Sequence, residues 1–209
     1  MVPVHKTPGW IQRIFPQRIW QKRADDQSIY LTFDDGPVPG VTDYVLDQLN
    51  QRDQKATFFM VGDNVRKHPE LALKVIQAGH SIGNHTFHHL HGLRSSKEKY
   101  LENIRKCDLI FEEVLGIQTS LFRPPYGWMT PSQAKEVAKE KRVVMWDVLS
   151  GDYDPKLKPQ KILNTCLEKL EIGSIVVFHD QEKTRDVLPQ FLPEFLDAIK
   201  QKEMKTGVL

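Results

Sequence analysis

Ile29-Tyr30-Leu31-Thr32-Phe33-Asp34-Asp35-Gly36-Pro37 is an apolar run that ends abruptly in two adjacent carboxylates and a Gly-Pro turn. A short run of this kind bounded by turn residues suits a buried strand, and the amphipathic stretch from Val41 to Arg52 that follows suits a helix. The unit recurs along the chain. Thr57 to Met60 precedes Pro69 to Ala78, Ser81 to Asn84 precedes Ser95 to Leu115, and Leu121-Phe122 precedes Pro131 to Lys141. Val143 to Trp146 then precedes Pro159 to Leu170, and Ile175 to Phe178 precedes Thr184 to Lys202, with a last strand expected near Val208. Such repetition predicts a parallel sheet with helical crossovers. Asp34 and Asp35, His85, Arg123, Asp147 or Asp152, and His179 each follow the end of a different predicted strand. An open sheet gathers its polar chemistry at one switch point, whereas a barrel spreads it over the C-terminal rim. The expected fold is therefore α/β, a distorted (β/α)7-8 TIM-like barrel in a single domain over 29–209, with a segment 1–28 ahead of it.

At 209 residues the chain suits one domain with a sizeable core. Its 29 lysines and arginines against 27 aspartates and glutamates leave a net charge of +2, too balanced for a nucleic-acid footprint. Cys107 and Cys166 lie far apart in predicted helices and read as reduced thiols. No stretch reaches the roughly 18 apolar residues of a membrane span, and the N-terminus lacks the apolar core of a secretory signal. The expectation is a cytoplasmic protein with no transmembrane segment and an oligomeric state that the sequence leaves open. Trp10, Ile11, Ile14, Phe15 and Ile19 recur at near-helical spacing among Lys6, Arg13, Arg18, Lys22 and Arg23. That pattern suits a membrane-surface helix, but Pro16 interrupts it. Packing of segment 1–28 against the barrel's own underside is the expectation.

The chemistry concentrates in a few segments. Two like charges as close as Asp34 and Asp35 raise each other's pKa unless a cation relieves them. His85-Thr86-Phe87-His88-His89 supplies imidazoles four apart, on one face if that turn is helical. One carboxylate with His85 and His89 makes three protein ligands for a divalent metal, with room for water, while the second carboxylate stays free to take a proton. Asp-Asp-Gly alone is equally an ordinary turn, and surface histidine clusters occur without function. Arg123-Pro124-Pro125-Tyr126 is a rigid extended loop. Its guanidinium is expected to pair with whichever aspartate is off the metal, and the Tyr126 backbone N–H to point into the site as an oxyanion donor. Phe178-His179-Asp180 ends a strongly apolar strand, so His179 is either a satisfied buried histidine or a general acid.

Thr32 to Gly36, His85 to His89, Arg123 to Tyr126, Trp146 to Tyr153 and Val177 to His179 follow the order and rough spacing of five motifs. In these the chain resembles the polysaccharide deacetylases, carbohydrate esterase family 4 with the NodB-homology domain, from about Ile29 to the C-terminus. The resemblance implies a hydrolase acting on linear amides: removal of acetyl groups from N-acetylated sugars such as GlcNAc-containing poly- or oligosaccharides, with zinc or another divalent metal such as Co2+ or Mn2+. It further implies Asp35, His85 and His89 as metal ligands, Asp34 as base, Arg123 orienting Asp34, Tyr126 supplying the oxyanion N–H, and Asp152 tuning His179 as acid. Alternatives are an O-acetyl esterase on acetylated glycan, or a catalytically inactive glycan-binding homologue. The family's fourth motif usually reads Asp-x-x-Asp-Trp, where this chain has Leu149-Ser150-Gly151-Asp152-Tyr153; the fifth usually opens with leucine, where Val177 stands. Asp147, two residues before Leu149 on the same strand face, is a candidate substitute for the missing acid.

Overall fold

The structure, a computed structural model, describes residues 5–22 and 27–209. Among the described residues eight strands follow in chain order: β1 (Ser28–Asp34), β2 (Ala56–Met60), β3 (Ser81–Asn84), β4 (Leu121–Phe122), β5 (Arg142–Val143), β6 (Val148–Leu149), β7 (Ile175–His179) and β8 (Lys205–Thr206). Seven of them form one parallel path in the order β5-β4-β3-β2-β1-β7-β6, and β8 pairs with β1 off that path. Neighbours in space are neighbours in sequence except at β1, which pairs with β7 on the side away from β2. The result is a curled parallel sheet, a barrel open at the seam between β5 and β6. The helices are α1 (Gly9–Ile14), α2 (Thr42–Asn50), α3 (Gly62–Lys67), α4 (Pro69–Gln77), α5 (Lys97–Leu115), α6 (Pro131–Val137), α7 (Pro159–Lys169) and α8 (Leu192–Gln201).

All seven residues of β1 are buried, as a strand covered on both faces requires. Its period-two alternation sorts them. Ile29, Leu31 and Phe33 join the large core between sheet and helices, with Phe178, Phe191 and Phe195 around them. Tyr30 joins a smaller cluster with Phe59, Leu121, Val144 and Ile175. Thr32 and Asp34 share the parity of Tyr30, so Asp34 arrives at the strand's C-terminal end on the face away from the large core.

The predicted strand Val143 to Trp146 is broken: β5 ends at Val143 and the next strand, β6, begins only at Val148. The physical reason is the N-terminal segment: the Ile19 N–H donates to the Val143 carbonyl at 2.9 Å and the Met145 N–H donates to the Ile19 carbonyl at 2.7 Å. Further bridges join Lys6 to Val148 and Gln21 to Ser174, so residues 5–22 lie along the seam. Trp20 is buried beside Tyr100, Phe122 and Met145, while Trp10 and Ile14 of α1 are exposed. Residues 1–4 and 23–26, including Arg23, lie outside the described residues. Helix α3 was not foreseen, because six residues carrying one large buried side chain, Val65, show no period. The last predicted helix shortens to α8. Pro189 interrupts it, Pro193 sits in the first turn of α8 where no N–H is missed, and 3-10 turns at Glu182–Thr184 and Leu188–Gln190 take up the rest. Cys107 and Cys166 are both free thiols and fully buried. No helix among the described residues is long and apolar enough to cross a membrane.

Candidate active site

A cleft of about 750 Å³ opens at the C-terminal ends of the strands and is lined by Asp34, Asp35, His85, His89, Tyr126 and His179, among others. Each arrives by a different element. Asp34 is the last residue of β1, and Asp35, with φ 83, turns the chain sharply so that adjacent carboxylates point to different places. Asn64 holds that turn by donating to the Asp35 carbonyl at 2.7 Å.

The histidine segment is not helical, contrary to the conditional expectation. Thr86 and His89 have φ 62 and φ 54, and a network of side chains shapes the loop instead. Asn103, in the middle of α5, accepts from the Phe87 and His88 N–H groups, both at 2.9 Å, and its amide contacts His88 Nδ1 at 2.9 Å. The Thr86 N–H donates to Asn84 Oδ1 at 2.8 Å. The loop still brings both imidazoles to one place: ligand atoms of Asp35, His85 and His89 all lie within 4.8 Å of one another.

Three features of these residues suit a divalent cation. His85 Nδ1 lies 2.8 Å from the Arg123 carbonyl, so it must carry the proton and leave the Nε2 lone pair free. Asp35 Oδ1 sits 3.0 Å from His89 Nε2 and 3.4 Å from His85 Nε2, yet it is buried without a hydrogen-bond donor. Lone pairs facing one another at such separations leave a position that a cation satisfies. Without a cation, burial pushes the Asp35 carboxyl up, and only protonated His85 and His89 imidazoles donating to it, with the nearby His179 charge, outweigh that and hold it well below the usual carboxylate range.

Arg123 is fully buried. Its Nη1 donates to Asp34 Oδ1 at 2.6 Å and to Thr32 Oγ1 at 2.7 Å, its Nη2 to the Met145 carbonyl at 2.9 Å and its Nε to the Val144 carbonyl at 3.3 Å. The guanidinium also lies over the Phe59 ring at 4.1 Å. A cation with every nitrogen hydrogen-bonded fixes Asp34 through Oδ1, and Asp34 itself borders the cleft. Opposite, His179 Nδ1 lies 2.7 Å from Asp152 Oδ1, and Asp152 Oδ2 accepts the His179 N–H at 2.8 Å. Burial pushes the His179 imidazolium down, but Asp152 foremost, then Asp35 and Asp34, outweigh it and raise its pKa to about 9.

Tyr126 has φ 61 in the turn Pro125–Gly127, and its ring stacks on His91 with centroids 5.0 Å apart. Leu149, Tyr153 and Val177, the departures from the family pattern, all border the cleft, and the Tyr153 ring meets His179 edge-on at 5.1 Å. Asp147 does not substitute for the missing acid. It is fully buried, tied to Lys6 at 2.7 Å and to the Ser174 hydroxyl at 2.6 Å. Ser174 precedes β7, so Asp147 serves the opposite end of the barrel from His179.

Two residues outside the predicted set matter here. Asn103 was legible as the one polar position in the buried stripe Tyr100, Ile104, Cys107, Phe111. Asp180, fully buried, accepts from the Gly36 N–H at 3.1 Å and the Thr42 hydroxyl at 2.6 Å, so it ties the end of β7 to the turn after Asp35. A β-carbon on Gly36 would lie 2.0 Å from its Oδ2, which is why that position has none.

A curled parallel barrel with a carboxylate–imidazole cluster, an Asp–Arg pair and an Asp–His pair on one rim defines a class, the barrel hydrolases with a metal-ligand cluster at the strand ends. The family model described as polysaccharide deacetylase matches residues 21–146. A peptidoglycan-N-acetylglucosamine deacetylase of Bacillus cereus is 37% identical over 189 residues, 88% of this chain and 86% of that protein. A chitooligosaccharide deacetylase of Azorhizobium caulinodans is 34% identical, over 78% of this chain and 77% of the relative. The peptidoglycan-N-acetylmuramic acid deacetylase PdaC of Bacillus subtilis is 32% identical over 75% of this chain, which spans only 33% of that longer protein. Among solved structures, a peptidoglycan N-acetylglucosamine deacetylase bound to a naphthyl N-hydroxybenzamide superposes with a TM-score of 0.83 at 28% identity, over 97% of this chain and 95% of the other. The chain belongs to the polysaccharide deacetylase family, carbohydrate esterase family 4, and is a hydrolase of that family.

Proposed function

We propose that the chain removes acetyl groups from N-acetylated sugars of a glycan, with residues 29–209 carrying the chemistry and segment 1–28 packing on the barrel. One observation supports this above the others: the three ligand atoms of Asp35, His85 and His89 converge beside an Arg123-bound Asp34, with His179 across the same cleft. A divalent cation held by Asp35, His85 and His89, with zinc the first choice for that donor set and Co2+ or Mn2+ as substitutes, supplies Lewis acidity and an acidified water. Asp34, its Oδ1 fixed by Arg123, takes the proton from the attacking water as base. The Tyr126 N–H, set by the left-handed turn at that residue, donates to the oxyanion as the acetyl carbonyl becomes tetrahedral. His179, kept protonated by Asp152, gives its Nε2 proton to the departing amine, which leaves poorly as an anion. The names of the relatives favour wall or chitin-type glycans, and a wall polymer would call for action outside the cytoplasm.

The fold alone does not guarantee turnover. A protein from Bacillus anthracis described as a family pseudoenzyme superposes with a TM-score of 0.81 at 23% identity. Metal content combined with acetate release from matched N-acetylated and O-acetylated saccharides tests the reading. Release from the amide substrate with about one metal bound per chain is expected. Release from esters alone makes it an O-acetyl esterase, and binding without release from any substrate makes it the inactive homologue.

A further inference from the structure

A second hollow, of about 430 Å³, adjoins the catalytic cleft, and Asp63 and His88 line both. The two hollows therefore share a wall. Its apolar lining is Phe87, buried beneath the histidine loop, with Leu109 and Ile110 of α5; the Leu109 side chain is 65% exposed, with nothing covering it. Its charges are not equivalent. Asp63 is neutralised on its own helix by Arg66 at 2.8 Å and Lys67 at 2.6 Å. Lys106 has no carboxylate within 4.0 Å among the described residues, and its ammonium rests 4.1 Å above the Phe87 ring, which itself meets the His88 ring edge-on at 4.6 Å. Glu113 follows two helical turns further along α5. Starting from the catalytic cleft, the hollow thus offers an uncompensated cation, an apolar floor and then an acid.

A bare sugar oligomer has nothing to place there, since it carries no anion and no aliphatic branch. We propose that this hollow receives the peptide stem of the sugar adjacent to the one being deacetylated, with a stem carboxylate on Lys106 and its aliphatic part over Phe87 and Leu109. The inference rests on the glycan-deacetylase reading above and narrows its substrate to peptide-substituted glycan. Asp63 and His88 line both hollows, so the stem of a sugar bound in the cleft has a continuous path to Lys106, whose free charge is opposite to that of a stem carboxylate.

Kinetics on two substrates decide it: a neutral N-acetylglucosamine oligomer and a glycan fragment of equal length bearing its peptide stem. Lys106 is exposed and outside the catalytic cleft, so Lys106→Met and Lys106→Glu both leave the fold intact. For the stem-bearing fragment, KM should rise about fivefold in Lys106→Met and further in Lys106→Glu with kcat unchanged, as loss of one solvent-exposed charge contact gives. For the neutral oligomer, neither constant should move. An unchanged KM on the stem-bearing fragment, or equal changes on both substrates, overturns the proposal. Equilibrium binding of the fragment to wild type and both variants gives the same comparison without turnover. If wild type releases acetate from neither substrate, the catalytic reading fails, and the binding data still decide the hollow.

Discussion

Asp34 and Asp35 are chemically identical neighbours that the structure sends to different tasks. Arg123 holds the first through Oδ1, and two imidazoles surround the second. Asp34→Asn should therefore lower kcat by about 10²–10⁴ while metal content by elemental analysis stays at the wild-type level. His85→Ala should lose the metal itself. The His179–Asp152 pair makes a pH prediction with a definite sign. With its pKa raised to about 9, His179 is protonated below that value, and the acid function proposed for it is lost as pH rises through it. Asp152→Asn removes the largest upward influence, so the alkaline limb of the kcat profile should move to lower pH; an unmoved limb would falsify His179 as the acid. The residue types and their order were readable from the chain, because a carboxylate, imidazole or guanidinium after an apolar strand has few uses. Which carboxylate does what was not readable, since φ 83 at Asp35 and the distant Arg123 decide it.

At the scale of elements, two devices support the rim. Helix α5 lends Asn103 to the histidine loop, taking the place of the helical turn that the His85–His89 spacing suggested. Asn103→Ala should weaken metal binding by about 10- to 100-fold, as loss of a residue that orients ligands does, with helicity by circular dichroism unchanged. The N-terminal segment is the second device. Lys6 donates to Oδ2 of the fully buried Asp147, whose Oδ1 has no donor, and His5 Nδ1 meets the Leu149 carbonyl at 2.8 Å. Lys6→Met should cost about 2 kcal/mol in urea unfolding, below the ~3–5 typical of breaking a fully buried pair because Lys6 is partly exposed. The strand between Val143 and Trp146 was misjudged for the same reason. A β-branched run shows strand propensity but not which partner takes its hydrogen bonds, and here Ile19 takes them from across the sequence.

For the whole molecule, the metal-ligand cluster draws on the ends of β1 and β3 together, so a bound cation is coupled to folding. At a hundredfold excess over its Kd, a divalent ion should add about 2.7 kcal/mol, or roughly 5–10 °C in Tm for a domain of this size. Chelator titration followed by calorimetry checks this, and His89→Ala should abolish the shift.

By itself the sequence determined the strand–helix repetition, the barrel-type rim and the chemical types gathered on it, because apolar periodicity and the high cost of stranding charges at strand ends are local properties of the chain. Tertiary structure alone decided the open seam filled by residues 5–22, the separation of Asp34 from Asp35, the removal of Asp147 to the far end, and the service of Asn103 and Asp180 to the site. Each of these depends on which distant groups meet, and hydrogen bonds between residues more than a dozen positions apart leave no period in the sequence that brings them together.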